Sequence, residues 1–187
     1  MAKKTPVEIV CVIDRSGSMQ SIASDAIGGF NAFLKEQKEV KGKANLTLIL
    51  FDHDYTVVHA AKDIKDIEPL DGKTYVPRGN TAMNDAINRA IGDLEARSPD
   101  KAIICILTDG QENASKEVTG EQLKKKIEAA KARGWSFVFL AANQDAFASG
   151  AAMGFDKNTT FNFKATQAGT QAAYVSMSAV TRSYRGA

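Results

Sequence analysis

Short apolar runs separated by stretches of helical period leave this chain few architectures to adopt. Val7-Glu8-Ile9-Val10-Cys11-Val12-Ile13 and Ala102-Ile103-Ile104-Cys105-Ile106-Leu107 are apolar at almost every position, the pattern of strands covered on both faces. Between and after them, apolar residues recur at helical steps: Ile22, Ala26, Ile27, Phe30, Phe33 and Leu34, then Ala82, Ala86, Ile87, Ala90, Ile91 and Leu94, then Leu123, Ile127 and Ala130 up to Gly134. Asn45 to Phe51, Trp135 to Ala142 and Thr160 to Phe163 read as further strands. Tyr55 to Ala60 follows Phe51 so closely that it fits only an antiparallel partner at a sheet edge. Residues 62–80 read as irregular, broken by Pro69, Gly72, Pro77 and Gly79. A short helix is expected near Asp145 to Met153. Ala173, Met177, Val180 and Tyr184 predict a last amphipathic helix over about residues 168–185. The alternation predicts an α/β fold: a doubly wound, mostly parallel central sheet with one antiparallel edge strand and helices on both faces, as a single domain over residues 1–187.

Charge and cysteine content narrow the partners. A formal net charge of +2 gives no electrostatic reason to bind nucleic acid or an anionic membrane surface. Lys124-Lys125-Lys126 falls on a helix whose apolar face is Leu123, Ile127 and Ala130, and reads as its solvated face. No apolar run approaches the roughly 20 residues that span a bilayer. The basic start, Met-Ala-Lys-Lys-Thr-Pro, runs into a strand containing Glu8 rather than a signal-peptide core. Cys11 and Cys105 lie in central apolar runs and read as buried reduced thiols. A cytoplasmic location is the expectation these features support.

Functional groups in an open parallel sheet collect at the carboxyl ends of the strands, where the strand order reverses. Two strand ends here carry such groups. The first strand runs into Asp14-Arg15-Ser16-Gly17-Ser18-Met19, which offers one carboxylate and two hydroxyls at alternate positions. Hard oxygens of this kind suit Mg²⁺, Mn²⁺ or Ca²⁺ rather than a soft metal. The strand from Ala102 ends in Thr108-Asp109-Gly110. A third element, Gly79-Asn80-Thr81, precedes a helix, so its hydroxyl and the positive helix N-terminus are both expected to face the same point. The plainer reading of the serines is that they cap the helix after Met19; that reading leaves Thr81 and Asp109 unexplained.

Taken together, Asp14-x-Ser16-x-Ser18, Thr81 and Asp109 resemble the metal-ion-dependent adhesion site of von Willebrand factor A domains. That family's pattern is an Asp-x-Ser-x-Ser stretch, then a Thr on a loop, then an Asp ending a central strand. The resemblance implies a Rossmann-like fold and a metal site of Asp14, Ser16, Ser18, Thr81 and Asp109. Ser16, Ser18 and Thr81 would coordinate the ion, and Asp14 and Asp109 would act directly or through water. It implies Mg²⁺, with Mn²⁺ or Ca²⁺ as alternatives. It further implies a non-enzymatic adaptor, monomeric by expectation, that captures an exposed Asp or Glu of a protein partner. Hydroxyls are neutral ligands and two carboxylates only balance a divalent ion, which therefore retains affinity for one more carboxylate. In some relatives the last helix shifts with the metal site, and Gly169 would give a hinge here.

Two other functions compete. A self-assembling protein would insert its own acidic residue into a neighbouring copy's site. A haloacid-dehalogenase-like, Mg²⁺-dependent phosphatase would need a general acid two residues after Asp14, where this chain has Ser16. No Gly-x-Ser-x-Gly elbow or Walker loop is present, and His53 and His59 flank the edge hairpin. Asp52-His53-Asp54 reads as a solvated hairpin turn, or else as an auxiliary ion or partner contact. Gln111-Glu112-Asn113 and Asn143-Gln144-Asp145 read either as a partner-selecting rim or as helix caps. Tyr75 and Arg78 are candidate ligand contacts.

Overall fold

The strands β1 (Val7–Asp14), β2 (Ala44–Phe51), β3 (Tyr55–Asp63), β4 (Ala102–Thr108), β5 (Ser136–Ala142) and β6 (Thr160–Phe163) form one sheet in the order β3-β2-β1-β4-β5-β6. The computed structural model describes residues 5–143 and 145–186. Every pairing is parallel except β2 with β3, which places the antiparallel strand at the edge as the short Phe51–Tyr55 connection requires.

Among the described residues, five α-helices cover the sheet. On one face α1 (Ala23–Glu39) and α5 (Gln167–Arg185) pack over Ile9, Cys11 and Ile13. On the other, α2 (Met83–Arg97), α3 (Gly120–Ala132) and α4 (Ala146–Met153) pack over Val10 and Val12. Successive side chains of a strand point to opposite faces, so β1 must be apolar at both parities to seal two cores at once. This is why its sequence does not alternate. Among the described residues, no helix is long and apolar enough to cross a membrane.

Cys11 and Cys105 stand opposite each other in the β1–β4 register, buried and unlinked. The consecutive lysines of α3 take different partners around the helix. Lys125 lies 3.4 Å from Glu121, and Lys126 donates to the Asn88 backbone and side chain at 3.1 and 3.0 Å.

Three boundaries depart from the sequence reading. β3 extends to Asp63 and is followed by a 3-10 turn over Ile64–Asp66, so the irregular stretch begins later than residue 62. A 3-10 turn over Gly17–Ile22 precedes α1. The second helix starts at Met83, not Thr81, with no side-chain cap; Thr81 thus stays on the loop before the helix, beside the strand ends. Gly169, expected as a hinge, stands in close quarters. A Cβ there would lie 2.0 Å from the Lys164 carbonyl oxygen, so the glycine permits a tight backbone approach at the start of α5.

Candidate metal centre

The strand order reverses between β1 and β4; β1 ends there in Asp14 and β4 is followed directly by Asp109. Asp14 has no solvent exposure, so its oxygens must be satisfied internally. Oδ1 accepts the Ser16 amide at 2.6 Å and Oδ2 accepts the Thr108 hydroxyl at 2.6 Å. Its backbone carbonyl accepts the Tyr75 hydroxyl, also at 2.6 Å. Burial pushes the Asp14 carboxyl above its ordinary range; the Thr108 and Ser16 hydrogen bonds oppose this and the nearby Asp109 charge adds to it.

The hydroxyls converge on Asp109. Ser18 donates to Asp109 Oδ1 at 2.6 Å, and the Ser16 and Ser18 oxygens lie 3.2 Å apart. A Cβ on Gly110 would lie 3.4 Å from the Thr81 hydroxyl oxygen and 3.6 Å from that of Ser18, so the missing side chain keeps the space beside both oxygens open. Burial raises the Asp109 carboxyl as well, with the Ser18 bond opposing it. Ser16 stands at the start of the 3-10 turn but its hydroxyl makes no cap hydrogen bond, and that of Ser18 is directed to Asp109. Helix capping therefore does not account for the two serines.

The fold thus brings all five sequence-predicted residues to one strand-end edge. Their donor set is three hydroxyls and two carboxylates, all hard oxygen, with the two carboxyls held above their usual range by burial. That set fits a small divalent cation, which would supply the positive charge the buried pair lacks. Because both Asp14 oxygens already accept strong hydrogen bonds, Asp14 is suited to act through water, whereas Ser16, Ser18 and Thr81 offer free lone pairs.

The surrounding loops hold this arrangement. Asn113 accepts the Thr81 amide through Oδ1 at 2.9 Å, and its own amide donates to the Thr81 carbonyl at 3.0 Å. Glu112 accepts the Asn84 amide of α2 at 2.7 Å, and Ser115 accepts that of Asp85 at 3.0 Å. Glu112 and Asn113 are thus fixing elements, and the α2 N-terminus expected to face a ligand is already occupied. Tyr75 is buried beneath Asp14 rather than exposed to a ligand. Asp145 caps α4, and Asn143 donates to the Asp109 carbonyl at 3.4 Å; Gln144 lies outside the described residues.

The Asp52-His53-Asp54 turn is solvated at His53 and Asp54 but not at Asp52. Asp52, His53 and Asp54 do bring three ligand-type atoms within 4.8 Å of one another. Asp52, however, is fully buried and accepts Arg15 Nε at 2.9 Å and Arg78 Nε at 3.0 Å, so two guanidinium groups occupy the place of an auxiliary cation. Burial raises its carboxyl, but the Asp54 amide and the two arginines outweigh this and hold it below the ordinary value. Sequence reading missed Thr108 and Asp52 as supports. Thr108 adjoins Asp109, but nothing local reveals that it reaches across to β1.

The family model for the von Willebrand factor type A domain matches residues 8–176. The chain belongs to that family. Among curated proteins none matches the sequence. Solved structures of von Willebrand factor A type share the fold at low identity. Proximal thread matrix protein 1 from the mussel byssus superposes with a TM-score of 0.69 at 15% identity, over 95% of this chain and 46% of that one. The chain therefore spans about half the length of that protein, which has also been solved with its metal-ion-dependent adhesion site occupied by zinc. The von Willebrand domain of the type V pilus tip protein Mfa5 from Porphyromonas gingivalis matches at a TM-score of 0.68 and 14% identity, over 96% of both chains. Manganese-loaded TRAP protein of Plasmodium vivax matches at 0.66 and 17%, over 90% of this chain and 72% of that one.

Proposed function

We propose that this von Willebrand factor A domain is an adaptor module, not an enzyme. It holds a divalent cation, Mg²⁺ by preference, on Ser16, Ser18 and Thr81, with Asp14 and Asp109 behind them. The ion's remaining affinity is directed at an Asp or Glu carboxylate of a protein partner. One observation carries this reading: Ser16, Ser18 and Asp109 form a linked hydroxyl–carboxylate cluster beside Thr81, at the strand ends where the order reverses. A phosphatase of haloacid-dehalogenase type would need a proton donor two residues after Asp14, and Ser16 with its ordinary alcohol cannot serve. Zinc in the adhesion site of the byssus protein, and the manganese-loaded Plasmodium protein, support a divalent ion in this one.

The reading is tested by calorimetric titration of Mg²⁺ and Mn²⁺ into the protein and into Asp14→Ala and Ser16→Ala, followed by capture of partners from an extract. Binding of metal and partner by the unsubstituted protein, lost in both variants and in chelator, is expected. Partner capture that is equal with and without Asp14 would refute the metal bridge. Size-exclusion chromatography in Mg²⁺ and in chelator separates capture of another protein from self-assembly.

A further inference from the structure

Asp52 belongs to no ligand set, yet a fully buried carboxylate shared by two arginines requires a reason. Its two partners come from the two segments that bring ligands to the metal centre. Arg15 sits inside the Asp14–Ser18 motif, between a carboxylate and a serine. Arg78 lies three residues before Thr81. One carboxylate oxygen, Oδ2, accepts both Nε atoms, while Oδ1 accepts the Asp54 amide at 2.6 Å. Arg15 is fixed further by the Thr56 hydroxyl at 2.8 Å, and Arg78 by Asp54 at 3.0 Å.

The backbone repeats the same connections. Arg78 donates its amide to the Arg15 carbonyl at 2.8 Å, and Gly17 donates to the Gly79 carbonyl at 3.0 Å. Ala82 donates to the carbonyl of Asp52 itself at 2.8 Å. Thr81 is therefore bracketed by one residue: Asp52 holds Ala82 through its main chain and Arg78 through its side chain. Gly79, between them, has φ +68°, and a Cβ there would lie 2.1 Å from His53 Nδ1. The turn beside Asp52 and the Thr81 segment thus lie in direct contact, closer than any side chain at residue 79 would permit.

We propose that Asp52 is a positioning residue for the metal centre, clamping Arg15 and Arg78 so that the Thr81 segment is held against the Asp14–Ser18 loop. The proposal rests on the reading of that centre as a cation site. Asp52 also has an electrostatic role there. Two guanidinium groups next to a divalent-ion site oppose cation binding unless they are neutralised, and Asp52 with Asp54 supplies two compensating charges. Asp52→Asn removes one of these charges and leaves Arg15, only 8% exposed, without its anionic partner.

The test is Mn²⁺ calorimetry on the unsubstituted protein, Asp52→Asn, Thr81→Ala and the double variant, with amide hydrogen exchange in chelator. Supports of a metal's ligands typically contribute 10- to 100-fold to affinity, so a loss of about tenfold is expected for Asp52→Asn. The double variant should lose less than the product of the two single losses, because both changes act on the same hydroxyl. Exchange at Gly17, Arg78 and Ala82 should quicken while the β4 amides stay protected. Arg78→Gln, at an exposed side chain, should weaken binding in the same direction and guards against misfolding of the buried variant. Unchanged affinity in both Asp52→Asn and Arg78→Gln would overturn the proposal alone. Fully multiplicative losses, or loosening spread across β4, would do the same. No Mn²⁺ binding by the unsubstituted protein would overturn the cation-site reading and this proposal with it.

Discussion

Thr108 offers a direct measure of how the fold supports its buried carboxylate. Its hydroxyl, itself without solvent exposure, donates to Asp14 Oδ2 at 2.6 Å, a short bond to a charged acceptor. Thr108→Val keeps the volume and the β-branch, so β4 retains its packing and strand preference. What is lost is one charge-assisted hydrogen bond to Asp14, worth about 1.5–3 kcal/mol, together with the weaker bond accepted from the Gly110 amide at 3.3 Å, and Asp14 is left to Ser16. The methyl that replaces the hydroxyl gains some apolar burial, so a net destabilisation of about 2 kcal/mol is expected. For a domain of this length that lowers the melting temperature by roughly 4–8 °C. Thermal unfolding in chelator reads the effect, with Thr108→Ser, which retains the donor, as the control. In excess Mn²⁺ the gap should widen, because ligand binding stabilises the native state in proportion to affinity and the variant presents a less ionised Asp14. Thr108→Val melting at or above the unsubstituted protein in chelator would refute the hydrogen-bond account of how Asp14 is held.

Two further outcomes follow from packing and charge. Gly28 and Gly29 are neighbours in α1, and alanine at either gains up to about 1 kcal/mol of helix preference. A Cβ on Gly28 meets nothing within 4 Å, whereas one on Gly29 would lie 2.2 Å from the Tyr174 ring of α5. Urea denaturation should therefore find Gly28→Ala stabilising and Gly29→Ala destabilising by about 1–2 kcal/mol, through overpacking of the α1–α5 contact; equal gains would show that α5 does not seat as described. For pH, burial raises both Asp14 and Asp109, so the metal-free native state takes up protons more readily than the unfolded chain. The pair's contribution to stability is thus greatest in acid and lost as pH rises through the raised values, while a bound cation requires the ionised forms. The melting-temperature gain from Mn²⁺ should grow as pH rises through the raised carboxyl range, and a gain independent of pH would contradict this.

Legibility differed between residues for physical reasons. β1 and β4 could be read because strands buried on both faces must be apolar throughout, and the Phe51–Tyr55 link is too short for anything but a hairpin. Asp14, Ser16 and Ser18 share one strand end, so their convergence follows from local geometry alone. Thr81 and Asp109 needed the topology to bring them there, and the family pattern supplied what spacing could not. Asp52 was misread because Asp in a tight turn after a strand is usually solvated. Its two arginines lie 37 and 26 residues away, and no periodicity announces such a pairing. Glu112 is comparable: its partners are the α2 amides, far along the chain, and a carboxylate near an Asp-Gly turn looks equally like a rim.

Glu112 changes how the site would recognise an anion. An open helix N-terminus beside Thr81 would attract a partner's carboxylate through its amides alone. In the folded chain Glu112 accepts the Asn84 amide, the Ala114 and Ser115 amides and the Ser115 hydroxyl, so its full negative charge meets the partial positive end of α2. The edge then carries Asp14, Asp109 and Glu112, with the Thr81, Asn84 and Asp85 amides already taken, and a bare carboxylate approaching it is repelled. With the Arg15 and Arg78 guanidinium groups already paired to Asp52 and Asp54, the attraction is supplied by a cation that Ser16, Ser18 and Thr81 hold without neutralising. Under the proposed reading, therefore, chelator should abolish partner capture rather than weaken it. Partial capture surviving in chelator would mean that an anion finds purchase elsewhere on this face.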